Sequence, residues 1–165
     1  MKPERKHPRL KEYDYSLPGY YYVTICTADE SVCLSSVRWE HAPTVARVVL
    51  TEEGQIAREQ LFALEQRYPY VRIDKYVIMP NHIHAIIRLL AEPVERKRPG
   101  IPSIVGAFKS LTTRISNERT GKAGRKMFQT SFYEEVLRNE KAYQECWRYI
   151  DENPLKWLLA PEDLI

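Results

Sequence analysis

The chain has 165 residues, 44% hydrophobic and 28% charged, with a net charge of +3. That suffices for one ordinary domain with a full core, and the composition carries no signature of disorder. The apolar runs are too short to cross a membrane, the basic N-terminus lacks a signal-peptide core, and three cysteines without C-x-x-C spacing (Cys26, Cys33, Cys146) suit free thiols in a reducing cytosol.

Residues 1–18 hold Pro3, Pro8 and Pro18, show no periodicity and read as a basic arm. Gly19 to Thr27 is aromatic and β-branched, which predicts a strand. Residues 28–44, with Trp39 and Pro43, read as irregular, and Val45 to Leu50 as a shorter strand. Thr51 is a natural N-cap with Glu52 and Glu53 behind it, and Ile56, Leu61 and Leu64 carry a helix to about Arg67, where Pro69 stops it. Arg72–Met79 and His82–Leu90 form a hairpin about Pro80-Asn81, followed by a charged, proline-containing loop over 91–102.

A second helix is predicted from Ile104, Val105, Phe108, Leu111, Thr112 and Ile115, which share one face, with Lys109, Thr113 and Arg114 lying away from it. Gly121 to Lys126 is a basic loop, Phe132 to Leu137 is extended, and Asn139 caps a last helix running to about Asn153, before Pro154. With no repeat and no linker, residues 1–165 read as one domain. The order of elements argues for an α+β sandwich, an antiparallel sheet with helices packed on it.

Within the hairpin, His82 and His84 alternate with Ile83 and Ala85, so both imidazoles project from one strand face while Ile83, Ala85, Ile87 and Leu89 face a core. Two imidazoles on one rigid surface make half a metal site. On the last helix Ala142, Tyr143, Cys146, Trp147 and Ile150 form an apolar stripe. At about 100° per residue, Tyr149 and Asn153 sit at one border of it, one turn apart. If that helix packs beside the histidine strand, they are a candidate nucleophile and a candidate third ligand. Spacing alone favours a tyrosine at the rim of the core and an asparagine ending a helix, since such tyrosines are common.

Charge points to a partner. Nine basic residues between Arg96 and Lys126 face one acid, Glu118, and Arg9 and Lys11 belong to a second basic group at the N-terminus. Lys109, Arg114, Arg119, Lys122, Arg125 and Lys126 with Arg9 and Lys11 are therefore candidate contacts to a polyanion. A solvated helix face with a basic loop would give the same pattern. The eleven tyrosines favour nucleic acid slightly, because aromatic rings stack unpaired bases.

Four stretches resemble the single-tyrosine HUH transposases, more closely their REP-associated branch. They are Arg9–Tyr15 followed by Gly19 and Tyr22–Cys26; the hairpin Val77–His84; Phe128–Glu134 with Arg138–Glu140; and Tyr149–Trp157. The likeness runs in order over almost the whole chain, and the hairpin together with Tyr-Ile-x-x-Asn-Pro is its specific part. Two positions depart from it: Glu135 stands where relatives often have a histidine, and Phe128 where an aromatic, often tryptophan, precedes the glutamine.

The resemblance implies a ferredoxin-like HUH-type sandwich and a metal-dependent endonuclease and strand transferase acting on single-stranded DNA beside a hairpin. Tyr149 would be the nucleophile, forming a 5′-phosphotyrosine, and His82, His84 and Asn153 would hold Mg²⁺ or Mn²⁺. A cytoplasmic monomer or homodimer, without a membrane partner, is expected. Two rivals remain: a nucleic-acid-binding regulator of the same fold without cleavage, and a zinc hydrolase built on His82 and His84, for which His7, His41 and the cysteines offer no convincing third ligand.

Overall fold

The computed structural model describes residues 13–91 and 97–159. Their elements, in chain order, are β1 (Gly19–Cys26), β2 (Ser35–His41), β3 (Val45–Leu50), α1 (Glu52–Arg67), β4 (Val71–Ile78), β5 (His82–Leu89), α2 (Ile101–Thr120), β6 (Tyr133–Leu137) and α3 (Glu140–Leu159). The main sheet has the order β4-β5-β1-β6, and all neighbours in it are antiparallel. Setting aside β2 and β3, which among the described residues pair only with each other, β1-α1-β4-β5-α2-β6 is a split βαβ arrangement of the ferredoxin-like kind. The expected α+β sandwich is what the chain forms.

Side-chain alternation gives the sheet two different faces. Tyr21, Val23 and Ile25 of β1 and Ile83, Ala85, Ile87 and Leu89 of β5 join Ala57, Leu61 and Leu64 of α1 and Ile104, Val105 and Phe108 of α2 in the main core. The opposite face carries Tyr22 and Ile86, covered by Ile150 of α3. Helices α1 and α2 thus lie on one side of the sheet and α3 on the other. At the start of α1 the Thr51 hydroxyl accepts from the Gly54 amide at 3.1 Å, the predicted cap. Gly54 is required there: a Cβ would meet the Leu34 carbonyl oxygen at 1.9 Å. Gly121, with φ of 68°, closes α2 in the left-handed conformation that glycine adopts without steric cost.

Several elements differ from expectation. Residues 28–44 contain the strand β2, whose polar sequence Ser-Ser-Val-Arg-Trp-Glu-His hides no apolar face of its own and is held by pairing with β3. Helix α2 begins earlier, at Ile101, and takes Pro102 into its first turn, where the missing amide proton costs no hydrogen bond. Helix α3 continues through Pro154 to Leu159. Leu155, Trp157 and Leu158 beyond the proline are half-buried, and this packing offsets one lost backbone bond. Trp147, placed in the buried stripe, is 39% exposed, with the Lys75 ammonium 3.7 Å above its ring. Of the proposed arm, residues 1–12 lie outside the described residues, while Tyr15 is buried in the main core.

Candidate active site

The site begins with strand register. On the face of β5 turned toward α3, His82 pairs opposite Cys26 and His84 opposite Thr24 of β1. Their rings are 4.5 Å apart between centroids. Helix α3 lays Tyr149, Asn153 and Trp157 over them, residues that share a face because they are spaced by four. The Tyr149 ring is 5.5 Å from that of His84, Asn153 Oδ1 is 3.4 Å from His82 Nε2, and Trp157 is 6.3 Å from the His82 ring. His82 and Asn153 are 0% exposed and His84 2%. The structure therefore brings together all four residues picked out as nucleophile and ligands.

The protonation pattern follows from burial. Loss of solvent pushes His82 down to about 4, partly opposed by its contact with Asn153. Burial, reinforced by His82, holds His84 well below the ordinary imidazole value. Both rings are neutral near pH 7, as a metal ligand must be. His82 Nδ1 lies 2.7 Å from Asn81 Oδ1, so it carries the proton and leaves the Nε2 lone pair facing Asn153. His84 Nδ1 is reached by Tyr22 Oη at 2.8 Å and Thr24 Oγ1 at 2.9 Å.

Two observations fit a cation at this point. His84 Nε2 is buried and meets no hydrogen-bond partner among the described residues. His82 Nε2 and Asn153 Oδ1 bring two acceptors face to face, which a cation between them reconciles; turning the carboxamide over would let Nδ2 donate instead. Among the described residues no three His, Cys, Asp or Glu side chains gather, so the groups beside the imidazoles are a carboxamide and a phenol. That donor set suits a harder divalent ion better than a structural zinc site.

The surroundings of Tyr149 are mixed. The Lys156 ammonium lies 5.2 Å from its ring centroid. Glu135, on β6 opposite Tyr22, accepts from the Tyr133 hydroxyl at 3.1 Å. Burial, with Glu135 second, pushes the Cys146 thiol up to about 12. Tyr22, Thr24 and Trp157 were not singled out from sequence. Tyr22 and Thr24 carry the alternation signal, but only the pairing of β1 with β5 turns them toward His84.

The basic residues are distributed differently. Arg9 and Lys11 lie outside the described residues. Lys109, Arg114 and Arg119 belong to α2, on the sheet face opposite the histidines. Lys109 Nζ donates to the carbonyls of Gln129 and Thr130 at 2.7 and 2.9 Å. Lys122 and Arg125 meet buried Glu53 at 3.4 and 2.9 Å, and Lys126 donates to Thr130 Oγ1 at 2.7 Å. Arg114 and Arg119 are exposed. No helix of the described residues is long and apolar enough to cross a membrane.

Comparison with known proteins follows the same line. No family model matches the chain. It is 29% identical to an uncharacterized protein of Haemophilus influenzae over 93% of this chain and 89% of that one. It is 28% identical to the REP-associated tyrosine transposase of Escherichia coli K12, over 70% of this chain and 64% of that protein. In fold it resembles a REP-associated tyrosine transposase solved bound to a REP hairpin, with a TM-score of 0.59 and 22% identity over 91% of this chain and 74% of the other. A provisionally assigned transposase of Deinococcus radiodurans R1 gives a TM-score of 0.52 at 14% identity, over 88% and 97%. The likeness to REP-associated tyrosine transposases that the four motifs carry is thus present in sequence and in fold.

Proposed function

We propose that the chain is a metal-dependent endonuclease and strand transferase for single-stranded DNA next to a hairpin, working through a 5′-phosphotyrosine. Its likeness to transposases supports the general activity, and one observation carries the finer reading. A phenol and a carboxamide one helical turn apart on α3 face two neutral, buried imidazoles on the sheet face that α3 covers.

Each residue has a task. His82 Nε2, His84 Nε2 and Asn153 Oδ1 would hold a divalent ion, Mg²⁺ or Mn²⁺. Bound there, the ion supplies Lewis-acid neutralisation of the scissile phosphate's non-bridging oxygens. Tyr149 Oη attacks phosphorus and loses its proton, the P–O3′ bond breaks, and the departing 3′ oxygen takes up a proton. The tyrosyl ester keeps the phosphodiester's energy, so transfer to another 3′-hydroxyl needs no nucleotide cofactor. Trp157 and Ile150 close the apolar surroundings of the ligands, and Asn81 holds the His82 ring in its ligand tautomer. The DNA reaches Tyr149 from its exposed side, since the phenol is only half-buried.

The test is a labelled single-stranded hairpin incubated with the protein and Mn²⁺, run on a denaturing gel. Cleavage with a covalent protein–DNA band is expected. Binding without cleavage under these conditions would replace this reading with that of a non-cutting regulator.

A further inference from the structure

Strands β2 and β3 form a ribbon apart from the main sheet, and its two faces differ. Residues directly opposite in an antiparallel pair point to the same side. Val37 with Val48 and Trp39 with Ala46 therefore share one face, and Ser36 with Val49 and Arg38 with Arg47 share the other. Val37, Val48 and Ala46 are half-buried, and α3 packs beside both strands. On the second face both arginines are exposed. They stand directly across from each other, with Cβ atoms about 5 Å apart, and no carboxylate among the described residues forms an ion pair with either. Glu40, left out of the register by the bulge after Trp39, is exposed and pairs with neither. Like charges directly opposite destabilise a strand pair, so the fold gains nothing from this arrangement, whereas a polyanion laid across it would.

Shape and position narrow the polyanion down. The base of the ribbon is fixed to the turn that leads into His82: the Cys33 and Leu34 amides donate to the Pro80 carbonyl at 3.1 and 3.0 Å, and Ser35 Oγ donates to the Ile78 carbonyl at 2.9 Å. Arg38 stands three residues beyond Ser35, about 10 Å along the strand. A two-stranded ribbon fits a groove of duplex DNA, and paired guanidinium groups meet phosphate oxygens bidentately. The arginine face offers no ring on which an unpaired base could stack, since Trp39 belongs to the other face. Resting on the reading of the substrate as single-stranded DNA next to a hairpin, we propose that Arg38 and Arg47 hold the phosphate backbone of the hairpin's paired stem. The ribbon is a seat for duplex, separate from the site that cuts, and it leaves the unpaired flank to reach Tyr149.

The full chain is titrated by fluorescence anisotropy over a range of salt, with a chelator to prevent cleavage, against two probes: a hairpin with a paired stem and an unpaired flank, and the flank alone. Phosphate contacts carry no sequence information, so the sequence of the stem is free. Arg38→Gln/Arg47→Gln should bind the hairpin several-fold more weakly, with a salt slope lower by about two, and should bind the flank like the wild type. Arg38→Lys/Arg47→Lys keeps the charge and should keep the wild-type slope. The Gln variant loses a like-charge pair, so its melting temperature should not fall, which separates weaker binding from a folding defect. Unchanged hairpin binding in the Gln variant overturns the proposal and leaves the arginines as charges that keep the ribbon's edges from pairing with other chains. An equal loss on both probes overturns it too, because the ribbon would then meet the single strand. The wild type's covalent adduct with Mn²⁺ judges the nuclease reading separately. Selective loss of hairpin binding without any adduct keeps the stem contact and removes the cleavage; an adduct with unchanged hairpin binding does the reverse.

Discussion

Tyr149 and His84 stand edge to face across the gap between α3 and β5, with ring centroids 5.5 Å apart and planes inclined by 66°. The contact joins residues 65 positions apart in sequence, and it exists because two separate periodicities agree. The period of two on β5 turns His84 toward α3, and the period of 3.6 on α3 turns Tyr149 toward β5.

Tyr149→Phe removes one oxygen and keeps that ring contact. The variant should melt within about 0.5 kcal/mol of wild type, as expected of a substitution that removes no buried hydrogen bond. It should bind the hairpin with unchanged affinity and form no covalent adduct. The denaturing gel with Mn²⁺ checks this directly. An adduct in the variant would move the nucleophile to Tyr133 or Tyr143, the next phenols along the same face.

Asn153 supplies a second prediction through its 3.4 Å approach to His82 Nε2. Asn153→Ala removes one of three proposed ligands and should weaken Mn²⁺ binding by at least tenfold, judged by the smaller losses seen for groups acting through a ligand. Mn²⁺ in excess should raise the melting temperature of the wild type by mass action. His82→Ala and His84→Ala should abolish that rise. A rise of equal size in all variants would place the ion elsewhere.

The hairpin, the capped helix α1 and the shared face of His82 and His84 were legible because each rests on a local pattern: alternation, a Thr-Glu-Glu cap, a Pro-Asn turn. What escaped depends on partners distant in sequence. Strand β2 has no apolar period and is held by β3. Helix α3 runs past Pro154 because Trp157 and its neighbours find cover there. Trp147 reads as core by composition, yet a lysine from β4 covers its ring in place of the core. The basic residues show the same limit, since charge counts say nothing of which sheet face a helix occupies.

That placement separates two lysine and arginine roles. Lys109 Nζ donates to two backbone carbonyls, and burial lowers its pKa, so Lys109→Met should lose both hydrogen bonds, one of them partly buried, and cost about 0.5–1.5 kcal/mol. Arg114→Gln, at an exposed position, should leave stability within about 0.5 kcal/mol. Urea melts of the two variants check the contrast. In DNA titrations Arg114→Gln should lower the salt slope by about one if α2 meets phosphate. An unchanged slope would confine the DNA to the α3 face.

Acid should unfold this protein through its histidines first. An unfolded imidazole has its ordinary value of 6.5, whereas His82 in the fold is held at about 4 and His84 lower still. Above pH 6.5 both states are neutral and neither gains. As pH falls below 6.5 the unfolded chain takes up protons that the folded chain refuses, so stability declines. For His82 the loss continues to about pH 4 and then stops, because the folded ring has by then been protonated too. Within that window each refused proton costs roughly 1.4 kcal/mol per pH unit. Melting temperatures measured with a chelator at pH 7.5, 6, 5 and 4.5 should fall along this course in the wild type. The His82→Ala/His84→Ala double variant, though less well packed, should lose markedly less between pH 6.5 and 4.5. Equal slopes in the two proteins would mean that these imidazoles are solvated and charged in the fold, which neutral metal ligands cannot be.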